Sequence, residues 1–546
     1  MYRPMLRQFE LVDIVRSYDP GTDENLLNKA YVFSLKAHGV QRRESGDPFF
    51  SHPVEVAGIL TRFKFDHLTI AAALLHDTIE DTVATLNEIQ TEFGLEVAYV
   101  VDGVTKLSKL DLKSEDTKQA ENFRKLVLAM ANDIRVLFVK LADRQHNMQT
   151  LHYIKDPHKR QKIAKETLDI YAPLASRVGV QKMKETLEDF AFREINPQAY
   201  ETTHKRLEFL CDSLAQPLED IEADLEALLK KTGVHARVFG RLKTPYSIWK
   251  KIMTQNTTFE QLCDILAFRV VVPSLAECYQ ALGVLHSEYW VVPGRFKDYI
   301  STPKVNNYQS LHTAVISPKY QRMEIQIRTE EMELEAEYGI AAHWQYKQNV
   351  KAHDGKKYLW IRSLLQIMEQ ANNPEEFLEN TKLEMFQEQV FCFSERGELI
   401  VLPKDVTPID FAYAVDSWLG DHISEVKING KSMPLRTVLQ NGDQIQIITS
   451  EDQMPLPVWE KFVRTGKART HIRQFIRAQQ KKKMIQRGKE KLAAALGLKK
   501  EKIKEPALTP LLSTFSCSTL ADFYEALGED ILDVAEVAQT LHKKKF

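Results

Sequence analysis

The spacing of apolar residues divides the chain into stretches with different predicted structure. From residue 1 to about 200, apolar residues recur three and four positions apart, as in LLNKAYVFSLKAHG and ENFRKLVLAMAND. This spacing is typical of amphipathic helices. From about 233 to 345, β-rich runs such as ILAFRVVVP and RMEIQIRT alternate with helical segments. The pattern therefore predicts an all-α domain followed by an α/β or α+β domain.

A third unit is predicted to begin near Glu388. VFCFSERGELIVLPKD indicates a hairpin that turns at Arg396-Gly397, and PIDFAYAV, EVKING and DQIQIITS indicate one helix and two further strands. Together they predict a β-grasp-like module of about 60 residues, followed by a helical segment. The predicted boundaries are 1–200, 201–350, 351–386 for a helical linker, 387–450 and 451–546.

Composition places the chain among ordinary globular proteins, with 44% hydrophobic and 27% charged residues over a length of 546. That length exceeds what one hydrophobic core usually supports. No apolar run is long enough to cross a bilayer, and MYRPMLRQFE lacks the apolar region of a signal peptide. The five cysteines are scattered, without a CxxC pair. A cytoplasmic protein without a disulfide framework or thiolate zinc site is therefore expected.

The formal charge of −2 conceals a strongly basic segment. Between Lys461 and Lys504, sixteen Lys or Arg residues stand against two Glu. Such a block attracts RNA or other anionic partners. The alternative, a solvated helix surface followed by a basic linker, stays open.

The first candidate site combines His52, the adjacent pair His76-Asp77, and Asp143. The pair lies in LTIAAALLHDTIED, which is predicted to be one helix that also carries Glu80 and Asp81. Two imidazoles and two carboxylates suit a divalent metal with open positions for water and a phosphate oxygen. Mn²⁺ fits best, and Fe or Zn are possible. A metal of this kind lowers the pKa of its water, and Glu80 and Asp81 are the acid/base candidates.

The second candidate site is rich in cations and lies between residues 241 and 324. Cations spread the negative charge of phosphate groups, and carboxylates can hold Mg²⁺ beside them. Asp264 and Glu324 stand beside β-rich runs, and Tyr308 offers a flat ring for a purine. Neither a Walker A nor a GxGxxG motif is present, so spacing alone does not identify a nucleotide site.

Several motifs of the first 150 residues resemble the long Rel/SpoT-type alarmone synthetase/hydrolases, which contain an HD-type hydrolase domain. They are QRRESGDPFFSHP, LLHDTIEDT, GVTKL and VKLADRQHNM. The resemblance implies that His52, His76, Asp77 and Asp143 bind Mn²⁺ and that Glu80-Asp81 is the catalytic pair. It also implies that five residues bind the guanosine nucleotide: Arg43, Ser45, Lys106, Asn147 and Thr150.

GRLKTPYSIWKK and RFKDYISTPKVNNYQSLH resemble the synthetase domain of the same family, which has an α/β nucleotidyltransferase-like fold. The resemblance implies that Asp264 and Glu324 are catalytic and hold Mg²⁺, with Glu324 activating the acceptor 3′-hydroxyl. The implied ATP-binding residues are Arg241, Lys243, Lys251 and Arg269. The implied GDP/GTP-binding residues are Arg295, Lys297, Lys304, Asn306, Tyr308 and His312.

Residues 387–450 resemble a TGS domain, which in long family members contacts uncharged tRNA on the ribosome. Asp421 stands where many members have His, and Asp416 and Trp418 also depart from the family pattern. The chain ends at Phe546, before the zinc-finger-like and ACT-type domains of the longest members. Both a shortened version of a longer protein and a short natural form are compatible with that ending.

Together these features predict a bifunctional enzyme of the stringent response. It would transfer pyrophosphate from ATP to the 3′-OH of GDP or GTP and would hydrolyse the (p)ppGpp product. Opposite regulation of the two sites is expected through the connector at roughly 180–235 and the C-terminal domains. Two alternatives stay open, a hydrolase with a latent synthetase and a non-catalytic ribosome- or tRNA-binding nucleotide sensor.

Overall fold

The computed structural model describes most of the chain. The described residues are 5–105, 115–212, 217–262, 264–304, 306–317, 322–339, 359–371, 373–385, 389–496, 508, 511, 512, 514, 515 and 517–543. The chain divides into two compact units, Met1–Phe386 and Gln387–Phe546. The predicted order of an all-α domain, a mixed α/β domain, a small β-grasp-like module and a helical segment is confirmed.

The first unit begins with a helical domain. Its helices are α1 (Gln8–Tyr18), α2 (Glu24–His38), α3 (Ser51–Thr61), α4 (His67–Leu75), α5 (Thr78–Asp81), α6 (Leu86–Thr105), α7 (Glu115–Asn132), α8 (Arg135–Gln149), α9 (Pro157–Glu166), α10 (Ala172–Arg177) and α11 (Gln181–Ile195). A π-helical turn, Thr167–Tyr171, joins α9 to α10. Helix α4 lies at the centre because its sequence is apolar on every face, and Ile70 to Leu75 are fully buried.

The single helix predicted from LTIAAALLHDTIED is interrupted, so that prediction was wrong. Helix α4 ends at Leu75, and α5 begins at Thr78. Two side chains form hydrogen bonds with backbone carbonyl groups at the end of α4. His76 Nδ1 lies 2.8 Å from the Ala73 oxygen, and Thr78 Oγ1 donates to the Leu75 oxygen over 2.7 Å. Such local bonds compete with the helical ladder. The interruption places the His76-Asp77 pair at a turn.

Two helices, α12 (Pro197–Asp212) and α13 (Leu218–Lys231), lead to the mixed domain. Its sheet has the order β1-β2-β6-β5-β3, with β4 paired to β5, and only the β2–β6 pairing is parallel. The strands are β1 (Arg237–Leu242), β2 (Leu266–Val272), β3 (Trp290–Val291), β4 (Lys297–Asp298), β5 (Leu311–Ile316) and β6 (Arg322–Thr329). The helices are α14 (Pro245–Gln255), α15 (Leu275–Glu288) and α16 (Glu330–Tyr338). Two linker helices, Leu359–Gln370 and Pro374–Met385, join the hydrophobic core of the helical domain.

The second unit contains a five-stranded sheet of order β10-β9-β11-β7-β8. Its strands are β7 (Gln389–Ser394), β8 (Leu399–Pro403), β9 (Ile423–Ile428), β10 (Lys431–Met433) and β11 (Gln444–Thr449). The predicted hairpin at Arg396-Gly397 is present, and β10 is a short strand that the sequence analysis missed. The helices are Pro408–Val415, Ser417–His422, Gly466–Ala495, Leu520–Gly528 and Val534–Lys543. Among the described residues, no helix combines the length and apolar character needed to cross a membrane.

Two glycines allow the backbone of the helical domain to approach that of the mixed domain. Gly179 (φ 83°) and Gly339 (φ 58°) both adopt conformations that residues with a side chain rarely adopt. A Cβ atom on Gly339 would lie 2.2 Å from the Val178 oxygen, and one on Gly179 would lie 2.8 Å from the Cα atom of Gly339. Only glycine therefore fits at either position.

We expect Gly339→Ala to destabilise the protein more than Gly233→Ala does. Gly233 has a φ of 83°, but nothing lies within 4 Å of the point where its Cβ atom would be, so its substitution carries only the backbone cost of about 1 kcal/mol. Gly339→Ala adds the collision with the Val178 oxygen, for about 2 kcal/mol more. Urea denaturation of the full chain measures both values, and equal effects would show that this contact is unimportant.

Candidate active sites

Three helices bring the four predicted metal ligands together in the first unit. His52 lies on α3, His76 and Asp77 lie at the turn after α4, and Asp143 lies on α8. One ligand atom each from His52, His76 and Asp143 lies within 4.8 Å of the others. The Asp77 oxygens lie 3.3 Å from His52 Nε2 and 3.0 Å from His76 Nε2. We call these four residues the histidine–carboxylate site.

The donor set of this site fits a divalent metal ion. The Nδ1 atom of His76 donates to the Ala73 carbonyl, and the neutral tautomer with its proton on Nδ1 has its lone pair on Nε2. That Nε2 atom is buried and lies 3.0 Å from Asp77 Oδ1, but it forms no hydrogen bond with any of the described residues. Leaving a buried polar atom without a partner is costly, whereas a cation beside two carboxylates would satisfy it. Mixed nitrogen and oxygen ligands are suited to divalent transition metals.

Burial and neighbouring charges hold the site in a metal-binding protonation state. Burial lowers the pKa of His52 to about 3, although Asp143 opposes the shift, so this ring is neutral near pH 7. Burial alone would raise the pKa of Asp143, but the neighbouring Lys140 ammonium brings it well below its usual value. Lys140 Nζ lies 2.8 Å from Asp143 Oδ2. Burial raises the pKa of Asp77, and His76 opposes this shift.

The predicted nucleotide-binding residues of the histidine–carboxylate site differ in whether they contact its ligands. Arg43 contacts His146 and Asn147, and Asn147 Nδ2 donates to Asp143 Oδ1 over 2.5 Å. Ser45 donates to Asp47 Oδ2 over 2.9 Å. The Thr150 hydroxyl donates to the His146 carbonyl over 3.1 Å. Arg43 and Asn147 therefore join the site directly.

One predicted residue of this set, Lys106, lies outside the described residues. The predicted acid/base pair, Glu80 and Asp81, is exposed on α5, one turn beyond the buried ligands. Burial raises the pKa of Asp81, and repulsion from Glu80 adds to the rise. The pair therefore lies where a substrate can reach it.

Sequence analysis did not assign a role to two residues of α8 that contact the ligands. Lys140 lies one turn before Asp143, and His146 lies one turn after it. The i, i+3 spacing was the available signal, since residues so spaced share a helix face. The contact between His146 and His52 is not readable from the sequence, because the two residues are 94 positions apart.

The second site forms at the sheet of the mixed domain, and we call it the basic site. Lys243 follows β1, Lys251 lies on α14, and both ammonium groups contact Asp264 Oδ2. Burial would raise the pKa of Asp264, but the two lysines lower it below its usual value. The other Asp264 oxygen, Oδ1, is buried and forms no hydrogen bond within the part of the chain that the structure describes. This oxygen fits a ligand of a hard cation such as Mg²⁺.

A chain of three side chains crosses β5 and β6 in the basic site. Tyr308 Oη lies 2.8 Å from His312 Nε2, and His312 Nδ1 lies 3.0 Å from Glu324 Oε1. Gln326 Nε2 also donates to Glu324 Oε1 over 2.8 Å. Burial would raise the pKa of Glu324, but the hydrogen bonds from His312 and Gln326 lower it to about 2. Lys304 Nζ lies 4.8 Å from the centre of the Tyr308 ring.

The two arginines predicted to bind ATP are both paired with carboxylates in this structure. Arg241 contacts Glu185, which lies on α11 of the helical domain. Arg269 Nη1 lies 2.7 Å from Glu333 Oε1. Asn306 Nδ2 donates to the Ser176 carbonyl of the helical domain over 3.1 Å.

The remaining two cations of the predicted acceptor site lie at its exposed edge. Lys297 lies on β4, where it pairs in register with His312 of β5. Arg295 lies two residues earlier, in the connection before β4, and both side chains are exposed. The structure thus joins Lys297 to the basic site through the sheet.

Four family models match successive parts of the chain. They describe an HD domain at residues 30–181, a region found in RelA/SpoT proteins at 240–351, a TGS domain at 390–449 and a RelA/SpoT AH domain at 475–542. The matches follow the same order as the structural domains.

Curated relatives match nearly the whole chain. The GTP pyrophosphokinase rsh of Brucella abortus (strain 2308) is 49% identical over 545 residues, covering 98% of this chain and 72% of the relative. The guanosine-3′,5′-bis(diphosphate) 3′-pyrophosphohydrolase of Aquifex aeolicus (strain VF5) is 41% identical over 540 residues, covering 98% of this chain and 76% of the relative.

Solved structures match parts of the chain. A metazoan orthologue of SpoT that hydrolyses ppGpp is 26% identical, covering 31% of this chain and 93% of its own, with a TM-score of 0.26. The small alarmone synthetase 1 of Bacillus subtilis bound to pppGpp is 24% identical, covering 33% of this chain and 95% of its own, with a TM-score of 0.23.

We expect Lys140→Met to destabilise the metal-free protein by about 3 kcal/mol. The substitution removes the half-buried Lys140 ammonium that pairs with Asp143 and leaves the buried carboxylate uncompensated. Urea denaturation in the presence of a chelator measures the loss. Lys36→Met is the matched control, because Lys36 is exposed on α2. Equal stability of the two variants would contradict the assigned ion pair.

Proposed function

The chain belongs to the Rel/SpoT family of long alarmone synthetase/hydrolases, and from this membership we propose how its residues carry out two reactions. It is a bifunctional enzyme of the stringent response. It transfers pyrophosphate from ATP to the 3′-OH of GDP or GTP, and it hydrolyses the (p)ppGpp product to GDP or GTP and pyrophosphate. The residue roles below, the identity of the metal ions and the RNA partners are our proposals.

One observation carries the hydrolase proposal: the buried Nε2 atom of His76 lies 3.0 Å from Asp77 Oδ1 but forms no hydrogen bond with any described residue. We propose that His52, His76, Asp77 and Asp143 hold one divalent ion, Mn²⁺. Such an ion, when bound, lowers the pKa of a water molecule and polarises the phosphoryl group. The neutral His52 ring and the ionised Asp143 described above supply lone pairs that this role requires.

The exposed acidic pair, Glu80 and Asp81, is proposed to move the protons of hydrolysis. Water oxygen attacks the phosphorus attached to the 3′ oxygen, and the bond between that phosphorus and the 3′ oxygen breaks. One carboxylate accepts the proton of the water, and a proton is returned to the 3′ oxygen. Five residues are proposed to hold the nucleotide: Arg43, Ser45, Lys106, Asn147 and Thr150.

For synthesis, we propose that Glu324 accepts the proton of the acceptor 3′-OH. The 3′ oxygen then attacks the β-phosphorus of ATP, the bond to the α-phosphate breaks, and AMP leaves. Asp264 and Glu324 are the proposed Mg²⁺ ligands, and the partnerless Asp264 Oδ1 supports this assignment. Lys243 and Lys251 lie beside Asp264, where they would neutralise the triphosphate.

The two substrates are proposed to bind on either side of these groups. Arg241 and Arg269 hold the adenine of ATP after leaving their present partners, Glu185 and Glu333. Tyr308 stacks on the guanine of the acceptor. The other proposed GDP/GTP-binding residues are Arg295, Lys297, Lys304, Asn306 and His312.

In the second unit we propose contacts with uncharged tRNA and the ribosome. Asp421 faces inward and accepts a hydrogen bond from the Tyr413 hydroxyl over 2.9 Å. The next residue, His422, stacks on Trp418 with 4.6 Å between ring centres, and Trp418 is 51% exposed. An exposed aromatic pair suits base stacking, and the basic helix Gly466–Ala495 suits a phosphate backbone. A cytoplasmic location and the domain boundaries predicted from sequence are also proposed.

Separate substitutions should abolish the two reactions independently. We expect His76→Ala to lose (p)ppGpp hydrolysis and to keep synthesis, and Asp264→Ala to do the reverse. Assays of both reactions on each variant of the 546-residue chain measure this, with exposed His152 and Asp220 changed to alanine as controls. Chelation of divalent ions should stop hydrolysis by the wild type. Unchanged synthesis in Asp264→Ala would remove this residue from the mechanism.

The Tyr308→Phe variant should separate acceptor stacking from the support of Glu324. Phenylalanine keeps the ring but loses the hydroxyl that contacts His312, so we expect an acceptor KM within about 2-fold of the wild type. We expect kcat for synthesis to fall about 10-fold, the equivalent of one lost hydrogen bond. Tyr308→Ala should also raise the acceptor KM. An unchanged kcat for Tyr308→Phe would show that the hydroxyl has no part in synthesis.

A further inference from the structure

We propose that Arg43 and His146 are positioning residues that fix His52 in the tautomer needed to bind a metal ion through Nε2. The inference rests on the proposed function of the histidine–carboxylate site. It gives His146 a role that the family motifs did not supply, and it gives Arg43 a task beside its proposed contact with nucleotide. Two short contacts meet at a single nitrogen, Nδ1 of His146.

Arg43 determines the tautomer of His146. Its Nη1 atom lies 3.0 Å from His146 Nδ1. A guanidinium has only N–H donors and no acceptor. The Nδ1 atom of His146 must therefore present its lone pair to Arg43, and the proton of this neutral ring is on Nε2.

The guanidinium is held in place by a second contact. Arg43 Nη2 donates to Asn147 Oδ1 over 2.8 Å, and Asn147 Nδ2 donates to Asp143 Oδ1. These two bonds use the oxygen and the nitrogen of the Asn147 amide in complementary ways, so the orientation of the amide is defined. Arg43 is thus fixed relative to the metal ligand Asp143.

His146 in turn determines the tautomer of His52. The two Nδ1 atoms lie 2.7 Å apart. Because the His146 lone pair lies at this contact, His52 Nδ1 must be the donor, and both donors share that lone pair. The opposite assignment would direct an N–H of His146 at an N–H of Arg43. The proton of neutral His52 is therefore on Nδ1, and its Nε2 atom carries the lone pair.

The bare nitrogen of His52 faces the other ligands. Its Nε2 atom lies 3.3 Å from Asp77 Oδ2 and 3.3 Å from Asp143 Oδ1. A lone pair and two carboxylate oxygens thus converge on one place, as a cation requires. His76 reaches the same tautomer by a different route, because its Nδ1 atom donates to a backbone carbonyl. Only the His52 tautomer depends on side chains that can be substituted.

Solvent cannot easily replace the missing partner. His52 is 2% exposed and His146 is 7% exposed. A buried ring that loses its acceptor either adopts the other tautomer or rotates, and both changes remove Nε2 from the ligand set. Loss of a hydrogen bond that orients a metal ligand typically weakens metal binding about 10- to 100-fold.

The test compares His146→Asn with His146→Leu in the 546-residue chain. Asparagine can place an oxygen where Nδ1 of histidine lies, whereas leucine fills similar space without an acceptor. Mn²⁺ affinity is measured without nucleotide, from the electron paramagnetic resonance signal of free Mn²⁺. We expect His146→Leu to weaken binding about 10- to 100-fold and His146→Asn to stay within about 3-fold of the wild type.

Arg43→Met tests the first link of the chain, and Arg42→Met is its matched control. Arg42 is exposed, and its guanidinium donates to the Gly46 carbonyl over 2.7 Å. We expect Arg43→Met to weaken Mn²⁺ binding about 10-fold and Arg42→Met to leave it unchanged. Thermal unfolding of each variant in chelator identifies any that fail to fold, and a folded Arg43→Met keeps the test decisive if His146→Leu does not fold.

Three outcomes would overturn the inference. If folded His146→Leu and Arg43→Met bind Mn²⁺ as tightly as the wild type but lose hydrolysis, both residues act on the nucleotide alone. If folded His146→Asn binds as weakly as His146→Leu, the acceptor is not what matters. If the wild type itself binds no Mn²⁺, the proposed function of the site fails, and the inference fails with it.

Discussion

Burial of polar groups inside an apolar helix core governs the hydrolase half of this enzyme. Helices α3, α4 and α8 enclose the histidine–carboxylate site with residues that are almost fully buried. In such surroundings each polar atom needs a partner. Lys140 holds one oxygen of Asp143, and the Ala73 carbonyl holds one nitrogen of His76. The remaining ligand nitrogens and carboxylate oxygens lie close to one another, and this arrangement suits the site to a cation.

The same requirement joins the parts of the second unit. Asp410, on the helix Pro408–Val415, is fully buried. Its carboxylate accepts hydrogen bonds from the backbone and side chain of Thr407, from the backbone of Arg464, and from the backbone and side chain of Thr465. Thr465 is the N-cap of the basic helix Gly466–Ala495. One buried carboxylate therefore fixes the start of the basic helix against the small sheet module, so the proposed RNA-facing surfaces are held together.

In the first unit, the helical and mixed domains touch through groups that belong to the proposed synthetase site. Glu185 of α11 holds Arg241, and the Ser176 carbonyl accepts a hydrogen bond from Asn306. Gly179 and Gly339 provide the close backbone approach beside these contacts. The proposed ATP-binding Arg241 thus has a partner from the domain that performs the opposite reaction. Opposite regulation of the two sites through this connector stays a prediction.

The domain order, the helical and sheet periodicities and the residue types of both sites can be read from the sequence, because burial patterns and short motifs are local. The helix break at His76-Asp77 cannot be predicted from the sequence, because hydrogen bonds from side chains to backbone carbonyl groups override a continuous helical pattern. The contact between His52 and His146 could not be predicted from the sequence either, because the two residues are 94 positions apart. The tertiary structure determines which nitrogen of each histidine carries no proton and which carboxylate each cation contacts. Those properties depend on hydrogen-bond partners that packing brings in from distant parts of the chain.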